Sequence, residues 1–391
     1  TRSVAVVCGL FLSQVSFAQA PETQAESPVS KLTQGLLERI SFNINAFQVL
    51  GDNPLTDSFT QSLIAPYLGE GRGIDDIEIA ADVLKQALTD KGFNFYQVSF
   101  PEQELTDSVV DFQINRYTIG KILVKGNDFY SDNNIIASMP RLIAGSSPST
   151  QVIARTIQLA NQSSAKRVRL TLQPGEVVNE IDASVTVVDK KPLVISSWIN
   201  NAGSAISGEF RVGASAAHAN LFGLDHSGSL TFITSPEGIN DVQQIAASYR
   251  IPFYKIGGSV SLLAVQSGVE TGIVADVFDV AGRGEIYGIG YSHTLPNISS
   301  YTQGFSLQLT DKLFDNDISF QGIQLVEDVR SRVLALSYNG SWKNNKGLKL
   351  GASIVGSSNV DGGAFNNADS YFAARAGAAN DWRKLNIGVN L

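Results

Sequence analysis

Residues 244–251, Gln244-Ile245-Ala246-Ala247-Ser248-Tyr249-Arg250-Ile251, decide how the rest of the chain is read. Ile245, Ala247, Tyr249 and Ile251 take one parity; Gln244, Ala246, Ser248 and Arg250 take the other. A strand sends successive side chains to opposite faces, so this segment has one greasy face and one wettable face. Comparable segments separated by turn-like breaks recur through residues 193–391, the sequence signature of a membrane β-barrel.

The spacing predicts strands near 193–201, 207–219, 228–235, 242–252, 257–267, 284–295, 302–313, 330–342, 347–357 and 370–382, with an eleventh starting at 385. Leu334, Leu336, Tyr338 and Trp342 give one of them a lipid face that ends in an aromatic residue, as interfacial girdles do. Tight turns at 220–225, 252–255 and 344–347 are expected on the periplasmic side, and longer connections at 275–284, 314–329 and 361–369 outside. The last residues, 384–391, alternate and stop in mid-strand, which reads as an incomplete barrel because unpaired backbone in lipid costs several kcal/mol per group.

Charged residues make up only 17% of the 391, yet no run in the body reaches the ~18–20 apolar residues of a membrane helix. That combination fits a barrel with a polar lumen, and a net charge of −8 argues against a nucleic-acid partner. Residues 1–20 read as a secretory signal lacking its first residue or residues. Arg2 supplies the positive start, and Ser16-Phe17-Ala18 or Ala18-Gln19-Ala20 a cleavage site. The only cysteine, Cys8, lies inside it, which leaves the mature chain without a thiol or disulfide. The compartment implied is a Gram-negative cell envelope.

Between signal and barrel, residues 21–41 read as a linker with a short helix. Residues 42–116 then follow the order β-α-α-β-β, and residues 117–190 repeat it. Leu50-Gly51-Asp52-Asn53 closes the first strand of one copy, and Lys125-Gly126-Asn127-Asp128 that of the other. The fold class expected is therefore α+β joined to membrane all-β: two small modules, then an antiparallel transmembrane barrel over 191–391.

Several motifs carry a family resemblance. The repeated unit with a Gly-Asn-type turn after its first strand looks like a POTRA domain. Asn161, Arg167-Val168-Arg169-Leu170-Thr171-Leu172-Gln173-Pro174-Gly175 and residues 181–188 resemble the ending of that domain in haemolysin-activator-type proteins. Asn200-Asn201-Ala202-Gly203-Ser204, Gly208-Glu209, Asn220-Leu221-Phe222-Gly223-Leu224-Asp225 and Tyr249-Arg250-Ile251-Pro252-Phe253 are similar to the start of that family's barrel. On these motifs the chain resembles TpsB transporters, the outer-membrane half of two-partner secretion. The resemblance implies a sixteen-stranded barrel, outer-membrane lipids as surroundings, POTRA domains in the periplasm, and a secreted TpsA-type exoprotein of the adhesin or haemolysin kind as client. BAM/TAM-type assembly factors share the architecture and form the alternative, although they usually carry more POTRA copies.

The sequence shows no Gly-rich phosphate loop, metal-spaced ligand cluster or nucleophile elbow, so neither an enzyme nor a cofactor or nucleotide is expected. His218, His226 and His293 read as surface or pore-lining residues. The remaining candidates concern transport. Arg211, Arg250 and Arg375 sit on expected strands with apolar residues mostly on the opposite parity, which points them at the lumen, since a lipid-facing guanidinium costs about 2–4 kcal/mol. Pairing with acidic residues to stiffen the barrel accounts for them equally well. In the second module, Arg167, Arg169 and Thr171 lie on one face of the expected edge strand, where an unfolded client could add as a further strand. Edge charges that only block aggregation are the competing reading.

Overall fold

The computed structural model describes residues 41–103, 108–205, 207–274, 278–320, 323–324, 327–344 and 346–391. The expected signal and nearly all of the linker lie outside them.

The chain opens with β1 (Phe42–Ile44), β2 (Ala46–Gly51), α1 (Asp57–Ile64), a 3-10 turn (Ala65–Tyr67), β3 (Gly69–Arg72), α2 (Ile74–Asp90), β4 (Tyr96–Ser99) and β5 (Val109–Arg116). β5 is central in a three-stranded sheet, parallel to β2 and antiparallel to β4. α2 buries Ile77, Ala80, Leu84 and Leu88, one helical stripe, against that sheet. Phe47 stacks on Phe112 with ring centroids 5.1 Å apart at the centre of the core.

A second unit of the same topology follows: β6 (Thr118–Lys125), α3 (Asp132–Ala137), α4 (Thr150–Ala160), β7 (Lys166–Pro174) and β8 (Glu180–Asp189), with β8 between β6 and β7. The repeated glycine has the same physical cause in both. Gly51 (φ +86°) and Gly126 (φ +79°) close the first strand in the left-handed region. A Cβ there would lie 2.3 Å from the Ile114 carbonyl oxygen and 2.6 Å from that of Val187. Both carbonyls belong to the last strand of the unit, so the turn admits no side chain.

Ten long strands then form one antiparallel sheet in sequence order: β9 (Leu193–Asn200), β10 (Arg211–Leu221), β11 (His226–Ser235), β12 (Gly238–Phe253), β13 (Gly258–Val274), β14 (Phe278–Thr294), β15 (Tyr301–Phe320), β17 (Val329–Lys343), β18 (Lys349–Asn359) and β19 (Arg383–Asn390), with the two-residue β16 (Ile323–Gln324) paired to β15. Among the described residues, β9 and β19 each pair on one side only.

The registers resolve the two faces. Tyr249, Leu262, Ile289, Leu309 and Leu334 form one cross-strand row, and Tyr291, Leu307 and Leu336 another. Tyr301, Tyr338 and Trp342 close the same face near the ends of their strands. The opposite parity carries Arg250, Ser261, Gly290, Gln308, Ala335 and Ser357 in one row. One face is thus built for hydrocarbon with an aromatic rim, the other for water.

Three sequence expectations fail. β14 begins at Phe278 and so takes up the rest of 275–284, and β15 extends to Phe320, so those connections are shorter than expected. Above the apolar band a hairpin can continue on hydrogen bonds alone, without the alternation that marks it inside the membrane. Residues 370–382 are not a strand: α5 (Ala368–Ala374) occupies their start, N-capped by Asn367, whose side chain accepts from the Ser370 N–H. Arg375 is the C-cap of that helix and exposed, not on a barrel strand. The tenth strand is β19, where an eleventh was expected to begin.

Candidate functional site: the edge strand and the periplasmic mouth

Among the described residues β7 pairs only with β8, and on its other side Asn161 occupies the Val168 N–H and carbonyl, so the edge is open to a further strand only beyond Val168. Its side chains alternate strictly at first: Lys166 and Val168 buried, Arg167 and Arg169 exposed, then Thr171 and Leu172 exposed. Arg167 does not present a free guanidinium. Its Nη1 donates to the carbonyls of Asn161 and Ser163, at 3.3 and 2.5 Å, and so closes the end of α4. Asn161 fixes the same corner: its Nδ2 donates to the Val168 carbonyl at 2.9 Å and its Oδ1 accepts the Val168 N–H at 2.6 Å. Arg169, Thr171 and Gln173 remain as the exposed polar side chains along the edge.

The first residue of β7 points into the opposite contact. Lys166 Nζ donates to Asp225 Oδ2 at 2.5 Å and to Asn134 Oδ1 at 2.8 Å, and stands 5.1 Å over the Tyr130 ring. The side chains of this pair are 0% and 2% exposed. Asp225 belongs to the turn between β10 and β11. Its Oδ2 also accepts the Tyr254 hydroxyl, at 2.8 Å, from the turn between β12 and β13. Asn134 donates to Asn220 Oδ1 and to the Gly223 carbonyl, at 3.3 and 2.7 Å. Asn220 Oδ1 in turn accepts the Asp225 N–H at 2.9 Å. Burial pulls the Lys166 amine below its ordinary range, against the opposing pull of Asp225. The same burial, with Asp225 adjacent, pushes the Tyr254 hydroxyl far up, so it is held as a donor.

α4 meets the same end of the barrel sheet. Arg155 Nη2 donates to the Thr294 carbonyl at 3.0 Å, and Gln162 Nε2 to the Thr294 hydroxyl at 2.8 Å. Arg250 Nη2 donates to Gln162 Oε1 at 2.9 Å, and its Nε to Ser259 Oγ at 3.1 Å. Ala219 of β10 packs against the second unit's core. The second unit therefore grips the strand ends or turns of β10–β14, which marks that end of the sheet as the one facing the modules.

The expected lumen residues separate accordingly. Arg250 is on the polar face but at its rim, tied to Gln162 just past α4. Arg211 lies at the far end, on the same parity. It braces the 201–210 connection by donating to the Ser207 and Gly208 carbonyls at 3.2 and 2.7 Å. Arg375 is outside the sheet. Beside the joint, a niche of about 210 Å³ is walled by Ser164, Lys191 and Pro192 on one side and by Ala217, Ser229 and Ser248 of the polar face on the other. Ser229 and Ser248 bond each other across β11 and β12 at 2.7 Å. Sequence reasoning missed Lys166, Asn134 and Tyr254 altogether. The signal for Asp225, Asn220 and Gly223 was present in the Asn-Leu-Phe-Gly-Leu-Asp turn, though not its meaning.

Residues 42–116 match the profile of the ShlB-type POTRA domain, and residues 179–354 that of haemolysin secretion/activation proteins ShlB/FhaC/HecB. The outer membrane transporter CdiB-2 of Burkholderia pseudomallei is 20% identical over 357 residues, which are 85% of this chain and 56% of that protein. Among solved structures, CdiB from Escherichia coli superposes with a TM-score of 0.72 at 17% identity, covering 95% of this chain and 66% of the other. CdiB from Acinetobacter baumannii gives 0.58 at 14% identity, covering 85% and 69%. The chain spans a little over half the length of the curated relative it matches, and at these identities the structures establish the fold alone. That fold is POTRA followed by a large antiparallel barrel sheet, in a family that sits in the outer membrane with POTRA domains in the periplasm. By its POTRA and barrel segments together, the chain belongs to the TpsB family of outer-membrane transporters.

Proposed function

We propose that this chain supplies the periplasmic intake and the first barrel strands of a two-partner secretion transporter that exports an unfolded TpsA-type exoprotein. The observation that carries the proposal is the placement of β7: an edge strand open beyond Val168 whose first residue is anchored at the barrel mouth. A client strand added to β7 through backbone hydrogen bonds would run towards the rim. Arg169, Thr171 and Gln173 are the polar side chains available to it, and Arg167 shapes the edge by closing α4. Past the rim, the path is lined by small and hydroxyl residues such as Ser229, Ser248 and Ser261. These let an extended polypeptide slide without strong binding at any point. Arg250 borders that path at the rim and Arg211 at its far end. Module boundaries at 42–116 and 117–190 belong to the same reading.

The alternative, a factor that inserts other barrels, draws less support, because the profile matched over 179–354 is that of haemolysin secretion/activation proteins. Deleting the gene and assaying the exoprotein of the same operon separates the two. The export reading expects that exoprotein to disappear from the surface and medium while other outer-membrane barrels assemble normally. Normal export would sink it, and a general loss of barrel proteins would favour the alternative.

A further inference from the structure

The joint between second module and barrel is built unlike an ordinary domain contact. An amine and a carboxylate are taken wholly out of water at a surface between two units, held by Asn134 from one side and Tyr254 from the other. Apolar residues would hold such a contact at lower cost, since a buried ion pair roughly breaks even against hydrophobic packing. An ion pair supplies direction instead. Its strength depends on angle and distance, whereas hydrophobic contact tolerates sliding. Lys166 is also the residue at which the edge strand begins. Three separate chain segments of the barrel, at Asn220–Asp225, Tyr254–Ile256 and Thr294, are engaged at once, by Asn134 and Lys166, by Arg155, and by Arg155 with Gln162. Three attachment points fix orientation as well as distance.

We propose that Lys166 and Asp225 form a directional latch that holds the second module in one orientation on the barrel mouth, keeping the β7 edge aligned with the niche at Ser164, Lys191 and Ser229. Lys166 is on this account a positioning residue for client transfer. The inference rests on the export reading and adds to it that export needs a fixed bracket rather than a swinging arm.

Lys166→Met keeps the length of the side chain and strands the Asp225 carboxylate. The full transporter carrying it is expected to reach the outer membrane in normal amount, judged by heat-modifiable mobility, and to export its operon's exoprotein at least about tenfold less. Rescue distinguishes positioning from folding. Gln162→Cys with Thr294→Cys places two thiols where side chains bond at 2.8 Å. Bridging them with a short bis-alkyl-halide reagent, each thiolate displacing one halide, is expected to restore export in the Lys166→Met background to within about twofold of the wild type, and to leave the wild type, which lacks the cysteine pair, unaffected. Normal export by assembled Lys166→Met would overturn the latch, as would failure of the bridge to rescue, while leaving the export reading intact. If Lys166→Met does not assemble, Asp225→Asn carries the same test: it keeps the acceptor for Tyr254 and removes the charge. An unassisted wild type that exports nothing would instead count against the export reading.

Discussion

The chain contains two joints, and they are made of different chemistry. Between the modules, Phe95 is buried in the second unit's core beside Ile119 and Tyr130. Around it lie exposed hydrogen bonds: Tyr117 to Gln97 at 2.8 Å, Arg116 to Ser147 at 3.0 Å and Thr150 to Asn94 at 2.8 Å. Between the second module and the barrel, the centre is a buried ion pair and the surroundings are polar as well. Two modules of one topology are thus attached by a greasy plug at one end and a charged latch at the other. The plug gives adhesion with freedom to adjust. The latch gives alignment at a cost in desolvation. A periplasmic arm whose outer part adapts to its client and whose inner part stays registered on the pore would be built this way.

Substitutions at the two joints are expected to differ in cost. Lys166→Met should weaken the barrel joint by about 4 kcal/mol, because it leaves a buried carboxylate without its partner. Faster hydrogen exchange in the turn at Asn220–Asp225, with exchange around Phe95 unchanged, is the check. Phe95→Ala should cost about 3 kcal/mol through lost transfer energy and a cavity. It should raise protease cleavage between β5 and β6 while the barrel turns keep their protection. Asn161→Ala removes both bonds to Val168 and should cost about 2 kcal/mol, since a buried amide loses its acceptor. That loss is read as a lower unfolding midpoint of the second module, and it should fray the edge strand without moving the joint. Tyr117→Phe deletes one exposed hydrogen bond and should change stability by less than about 0.5 kcal/mol. A large effect there would mean that the intermodule joint is as directional as the latch.

Much of this was legible in the sequence for a plain reason. Alternation in 244–251 and 334–342 reflects a side-chain period that the strand itself imposes, so faces and strand order follow from residues alone. The glycine turns at Gly51 and Gly126 were visible as a repeat, because one steric requirement acts twice. What failed lies where the membrane no longer dictates the pattern. Beyond the apolar band, β13–β15 continue through Gly268, Gly284 and Asp315 without alternation. At 368–374 the cap residue Asn367 and helix-favouring alanines outweigh a short alternating run. Arg375 was lost with that strand. The joint was illegible for another reason. Lys166 looks in sequence like any strand-end lysine, and its acceptors lie 32 and 59 residues away. No local pattern announces a charge that will be buried by a distant turn.

A client that passes along β7 and then over the polar face beside the joint can be trapped in transit with a photoactivatable residue at Thr171, at Ser229 or, as a control, at the exposed Phe59 on α1. Adducts with the arrested exoprotein are expected at Thr171 and Ser229 and none at Phe59. Adducts at Phe59 with none at Thr171 and Ser229 would rule this path out.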